Sequence, residues 1–308
     1  MTRRQRERPM RISILDFQTP AFAVELAPAA ERLGYHRYWL GEHHGQYQCA
    51  NPLLMATVLA GLTERIRLGT GGICLTYSNA YRVAEDARLA NYLFPDRLDL
   101  GVVRGLGYPA PLHEALAGGA DGGAPAESFE SRATELHQFV TGRVPGGHPL
   151  AGTALHLEAG PPVWILGTSI ASARFAARMG AGFCISLHHS PEEAAARAAT
   201  SAYEAAFSPS PEFPEPAAIA VVSGVCAEER SIATALGAET AARAAARGSG
   251  GGKLGFAGDP DDCAEALTGL ARRLNVGELM ILDFIAEGEQ RVRMYELLAG
   301  ALGLGEER

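Results

Sequence analysis

Val163-Trp-Ile-Leu-Gly-Thr-Ser-Ile-Ala-Ser172 passes from an unbroken apolar run straight into hydroxyl residues suited to opening a helix. A strand with one face in water alternates polar and apolar side chains. A run without alternation suits a strand covered on both faces, as in a parallel sheet. Leu279-Met-Ile-Leu282 has the same character. Working outward from these two, strands are predicted over 11–17, 37–41, 66–75, 98–103, 163–166, 182–186, 217–226 and 278–285. Helix signals fall between them. Thr19-Pro20, Asn51-Pro52, Ser190-Pro191 and Asp259-Pro260 each pair an N-cap residue with proline at the first helical position, and Glu193 is placed to complete a capping box with Ser190. Phe22, Leu26, Ala29 and Leu33 form a stripe of helical period that Gly34 ends, and Gly180 ends the helix after the fifth strand. Eight strands, each followed by a helix, predict an α/β fold of one domain, a (β/α)8 TIM barrel with its site at the C-terminal ends of the strands. The competing doubly wound sheet calls for a glycine-rich turn after an early strand, but the first strand runs into Phe17-Gln-Thr-Pro20.

Composition narrows the function classes. The 308 residues carry a formal net charge of −8, which predicts no nucleic-acid partner. Arg3, Arg4, Arg6 and Arg8 make residues 1–10 a basic tail, expected to be disordered, with Met10 as an alternative start; residues 11–308 form the barrel domain. No run approaches the roughly 20 apolar residues of a membrane helix, and Asp16 interrupts the first apolar stretch, so a cytoplasmic protein is expected. Cys49, Cys74, Cys184, Cys226 and Cys263 are scattered and lack paired spacing, which points to core positions rather than disulfides or a zinc site. Residues 107–125 and 248–258 are rich in glycine and are read as leaving the C-terminal ends of strands, so either is a candidate lid.

Several residues at the predicted strand ends have chemistry to offer. Trp39-Leu-Gly-Glu-His-His44 closes the second strand. Histidine passes protons near neutral pH, and at this end of a barrel strand it reads as catalytic; a pair hydrogen-bonded within a polar loop is the alternative. His188-His189 closes the sixth strand as a pocket-wall candidate. A metal site built from both pairs would need three or four converging ligands, and no metal site is expected. Gly71 and Gly72 interrupt the third strand, either to let a flat ring lie on the backbone or to accommodate packing. Arg104 leaves the fourth strand, and Gly167-Thr-Ser-Ile-Ala-Ser172 opens a helix directly after the fifth. A guanidinium beside free helix-start amides is a phosphate site.

These segments, with Leu62-Thr-Glu-Arg-Ile-Arg-Leu-Gly-Thr70, Ala84-Glu85, Arg97-Leu-Asp-Leu-Gly-Val-Val-Arg-Gly105, Gly258-Asp-Pro-Asp-Asp262 and Val276-Gly-Glu-Leu-Met280, stand in an order that resembles the bacterial luciferase-like flavin-dependent monooxygenases. The resemblance covers roughly residues 11–105, 161–187 and 255–285. It implies a (β/α)8 barrel that binds reduced FMN supplied by a separate flavin reductase. The flavin would meet O2 at its C4a carbon, and the resulting peroxide would oxidise a small organic substrate. By position, Arg104, Thr168, Ser169 and Ser172 would hold the FMN phosphate. Gly71-Gly72 falls where the family often has a cis peptide beside the flavin ring. His43 would be the catalytic histidine, with His44 as its neighbour. A homodimer is also implied. Val103 departs from the cysteine or glycine common in relatives, and the stretch after the seventh strand looks short, as if a lid were truncated. A flavin or deazaflavin oxidoreductase without oxygen insertion is the runner-up. A flavin-binding protein without turnover and a metal-dependent barrel hydrolase are the alternatives from other classes.

Overall fold

In a computed structural model the chain is described over residues 10–45, 48–105, 108–116, 128–153, 160–189, 192–246 and 254–305. Nine strands are found there: β1 (Arg11–Asp16), β2 (Arg37–Leu40), β3 (Arg67–Cys74), β4 (Leu98–Val103), β5 (Val163–Gly167), β6 (Gly182–Ser186), β7 (Ala218–Cys226), β8 (Phe256–Gly258) and β9 (Glu278–Leu282). The α-helices are α1 (Pro20–Arg32), α2 (Pro52–Ala60), α3 (Ala80–Leu93), α4 (Ala110–Leu116), α5 (Phe129–Thr141), α6 (Ile170–Met179), α7 (Glu193–Ala206), α8 (Arg230–Ala246), α9 (Pro260–Leu274) and α10 (Gly288–Ala301). β1 to β6 pair in sequence, β9 pairs with both β1 and β7, and β6 pairs with β7. Every pairing is parallel, so eight strands close into the expected barrel.

Most predicted strands end within a residue or so of the observed ones. The last ends at Leu282 rather than 285 because the chain turns at Asp283, whose Oδ1 accepts the Ile285 amide at 3.1 Å. β8 was not anticipated. It adds to the outer part of β7, Gly224 opposite Phe256, and is too short to show a period. Residues 254–258 therefore lead into a strand that runs toward the barrel's C-terminal end, rather than leaving one as expected. The rest of that glycine run, most of 107–125 and the tail 1–9 lie outside the described residues. The proline caps divide. Asn51 and Asp259 accept the amides of Leu54 and Asp262, while Thr19 caps α1 without a side-chain bond. Ser190-Pro191 lies outside the described residues, and α7 opens at Glu193 behind Glu192, so Glu193 is a first helical residue and not a capping-box partner. In α1 Leu26 and Ala29 of the predicted stripe are buried, with Ala23, Ala27 and Ala30 beside them.

Two apolar layers hold the fold. Small helix residues such as Ala27, Ala87 and Ala177 are fully buried against the outer barrel wall. The lumen is filled by Leu15, Trp39, Trp164, Ile219, Met280 and Leu282. Trp39 and Trp164 meet edge to face at 5.8 Å. A Cβ on Gly69 would sit 2.2 Å from the Trp39 ring, and one on Gly182 would sit 2.3 Å from Trp164. Those glycines are the space the indoles occupy. All five cysteines are buried and unbridged.

Two buried ionic clusters brace the barrel. Near its N-terminal end Asp99 accepts from Arg37 Nε at 2.9 Å, Arg67 Nε at 2.8 Å and Trp164 Nε1 at 3.0 Å, and Glu278 takes Arg37 and Ser13. Burial alone would raise the Asp99 pKa, but the two guanidiniums outweigh it and hold it below the ordinary value. For Glu278 burial wins and the pKa rises. Near the other end Arg291 lies 3.0 Å from Asp16 and 2.8 Å from Asp283, and Tyr38 and Tyr295 donate to these two acids. Asp16 also accepts the Gln18 amide at 2.7 Å, which fixes the loop that carries Phe17.

Candidate active site

A cavity of about 480 Å³ opens at the C-terminal ends of the strands. Leu15, Leu166, Cys184 and Val221 are apolar parts of its wall. Its polar residues arrive on loops from separate strands.

From β2 come Glu42 and His43. The chain has left the strand by Gly41, and both residues line the cavity. The His43 amide donates to Cys49 O at 2.9 Å, and its ring meets Phe17 edge-on at 4.7 Å. His44 does not line the cavity. Its Nε2 lies 2.8 Å from Glu42 Oε1, and its amide donates to the Tyr108 hydroxyl at 3.2 Å. Glu42 is buried, and its other oxygen accepts the Cys74 amide at 3.0 Å. One carboxylate thus ties the end of β2 to the end of β3 and fixes the loop that presents His43.

From β3 come Gly71 and Gly72, joined by a cis peptide bond. A Cβ on Gly71 would lie 2.7 Å from Leu15 Cδ1, and one on Gly72 would lie 2.9 Å from Gly101 O. Both positions therefore meet the cavity with bare backbone, and packing also demands it.

β4 and β5 are neighbours, with Val102 opposite Ile165. Arg104 and Thr168 leave the adjacent ends of these strands and both line the cavity. Arg104 is exposed, and its guanidinium has no acidic partner among the described residues. Ser169 caps α6, accepting the Ser172 amide at 3.2 Å, and Ser172 Oγ accepts from the Ser169 amide at 3.2 Å. That capping box leaves the amides of Ile170 and Ala171 at the positive end of the helix. A Cβ on Gly167 would sit 2.2 Å from Ser172 Oγ, so the glycine makes room for that hydroxyl. Val103 lines the same wall.

The cavity thus brings together His43, Gly71, Gly72, Arg104, Thr168, Ser169 and Ser172, and leaves out His44. Sequence reasoning passed over Glu42, Phe17 and Ser186. Glu42 had a signal, a carboxylate between Gly41 and His43 at a strand end; Phe17 and Ser186 had none. Of the second histidine pair, His189 lines the cavity and His188 is buried behind it. Among the described residues no group of three His, Cys, Asp or Glu side chains is placed to hold a metal ion.

The structure resembles that of MsnO8, with a TM-score of 0.82 and 28% identity over 96% of this chain and 98% of that one. An N-acetyl-S-alkylcysteine monooxygenase of Bacillus subtilis is 33% identical over 217 residues, 66% of this chain and 64% of the relative. The oxygenase component of a flavin-dependent trigonelline monooxygenase of Acinetobacter baylyi is 28% identical over 184 residues, 55% of this chain and 49% of the relative. The matched part spans less than two thirds of the length of these curated relatives. Residues 2–249 match the family described as luciferase-like monooxygenase. The chain belongs to the luciferase-like monooxygenase family, whose members are flavin-dependent oxidoreductases.

Proposed function

We propose that this chain is an FMN-dependent monooxygenase, which takes reduced flavin from a separate reductase and uses it with O2 to oxidise a small organic substrate. One observation carries the reading. A guanidinium with no acidic partner among the described residues and the start of α6 flank a cavity that also presents a histidine and a bare glycine wall. The donor set fits a phosphate monoester: Arg104, the hydroxyls of Thr168, Ser169 and Ser172, and the helix-start amides. Gly71 and Gly72 fit a flat ring, because no side chain stands between the ring and the backbone there.

Bound reduced FMN supplies the electrons that activate O2. The chain's own residues have other tasks. Arg104 and the α6 turn anchor the phosphate. Phe17 and Leu166 keep the wall apolar and exclude water. His43 holds or moves the proton that the oxidation needs, with Glu42 and Phe17 setting its position. The relatives named as monooxygenases support this reading, as does the trigonelline enzyme's description as an oxygenase component, which fits the need for a reductase. No helix among the described residues is long and apolar enough to cross a membrane. Exposed Leu54, Val58 and Tyr92 on α2 and α3 favour a homodimer, and a cytoplasmic location belongs to the same reading; sedimentation at a single-chain mass would remove the dimer from the proposal.

The test is an anaerobic titration with reduced FMN, followed by O2 and a candidate substrate. FMN binding, then O2 uptake matched by oxygenated product, is expected. Uptake that yields only free peroxide with every substrate would favour an oxidoreductase without oxygen insertion.

A further inference from the structure

His189 stands just past β6, and His43 just past β2. Three strands separate β2 from β6 in either direction around the closed barrel, so the two histidines approach the cavity from opposite sides. His189 is held in place: Ser186 Oγ lies 2.8 Å from its Nδ1 and accepts its backbone amide at 3.3 Å. His188 packs edge-on behind the ring at 5.0 Å and itself lies against Phe284 at 5.2 Å. With Nδ1 engaged, Nε2 has no partner among the described residues and is left for a ligand.

The surroundings limit what that ligand is. Desolvation lowers the His189 pKa from its ordinary value, which favours the neutral ring as a hydrogen-bonding group. Cys184 on β6 and Val221 on the neighbouring β7 give the ring an apolar side, while Thr168 follows β5 on its other side. Among the described lining residues Arg104 is the sole lysine or arginine, and it belongs to the β4 side. Glu42 is already committed to the Cys74 amide and to His44. At about 480 Å³ the cavity is small for a site shared with a second molecule, since ligand pockets run from about 300 to 1,000 Å³.

We propose that His189, fixed by Ser186, is a substrate-binding residue that reads one uncharged oxygen, a carbonyl or hydroxyl, on a compact and otherwise apolar substrate. The proposal rests on the flavin reading above, which assigns Arg104 and the α6 turn, on the β4 and β5 side, to the cofactor and leaves the β6 and β7 side to the substrate. A substrate recognised through its own carboxylate would need a cation on that side, and the described residues of the wall there supply none.

The test uses the FMN-loaded full chain, with cyclohexanone and cyclohexanecarboxylate as matched probes. NMR follows the His189 ring resonance, identified by its loss in His189→Phe. Cyclohexanone is expected to move that resonance and to bind more tightly than the carboxylate. His189→Phe is expected to weaken cyclohexanone about 2- to 10-fold, the scale of one hydrogen bond, with the FMN Kd unchanged. His189→Gln, which keeps a donor and an acceptor, is expected to recover part of the loss. An unmoved resonance, a preference for the carboxylate, or full ketone affinity in His189→Phe would overturn the proposal and leave the flavin reading intact. A chain that takes up no FMN would overturn both.

Discussion

Replacing Arg104 with alanine removes the one guanidinium among the described residues of the cavity wall and leaves the α6 helix start in place. The expected magnitude follows from its setting. A hydrogen bond to a charged partner contributes about 1.5–3 kcal/mol. Arg104 is exposed, so water and salt screen the longer-range attraction: at 4 Å it is about 1 kcal/mol in water against about 4 kcal/mol at an effective dielectric of 20. The loss should therefore fall toward the low end, roughly 10- to 30-fold in the FMN Kd. Riboflavin has the same ring without the phosphate and should lose less than about 2-fold, because none of that hydrogen-bond energy is at stake. Fluorescence titrations of both flavins, at low and high ionic strength, measure this. Raising the salt should shrink the gap between wild type and variant, since an exposed ion pair is screened. Equal losses for the two flavins, or an FMN Kd that does not move, would refute the phosphate assignment.

His43→Ala should keep FMN affinity within a few-fold and cut product formation by about 10²-fold or more, the usual scale for a general acid–base; normal turnover would remove His43 from the chemistry. Asp99→Ala leaves Arg37 and Arg67 facing each other in a buried site and should destabilise the fold by about 3–5 kcal/mol in urea denaturation, with flavin affinity intact because the cluster sits at the other end of the barrel; a loss under about 1 kcal/mol would contradict that. Burial, with His189 nearby, lowers the His188 pKa to about 4 from an ordinary 6.5. The unfolded chain therefore protonates first, so this stability is complete above about pH 6.5 and is lost as the pH falls toward 4, by up to about 3 kcal/mol. His188→Gln should lose less stability than wild type between pH 7 and 4.5 in denaturation midpoints, and equal losses would count against a neutral buried ring.

The barrel was legible because its strands are apolar on both faces. Val163–Leu166 and Leu279–Leu282 needed no alternation to declare themselves, and Asn51-Pro52 and Asp259-Pro260 set their helix starts through side-chain caps that the structure contains. β8 was not legible, since three residues carry no period and its partner is distant in sequence. The cavity was partly legible for a local reason: Arg104 and Thr168 directly follow a strand, His43 stands three residues past one, and the fold collects strand ends. His44 could not be separated from His43 by residue type; the bond to Glu42 holds His44 aside, while His43 lines the cavity. His189 was legible only as a wall residue, because its tie to Ser186 depends on the turn after β6. The two ionic clusters were missed altogether. Arg37, Asp99 and Glu278 lie far apart in the chain, and only barrel closure brings them together.

The Asp99 cluster has a further consequence. A second hollow of about 510 Å³ opens at the N-terminal end of the barrel, bordered by Arg37, Trp164 and Glu278, and it shares no lining residue with the upper cavity. Tryptophan, methionine and paired charges fill the column between the two. The molecule is a cup rather than a tube. Among the described residues nothing opens a passage between the two, so on the flavin reading a spent flavin or a product lingering at the upper rim would block its successor, and traffic there would be taken in turns.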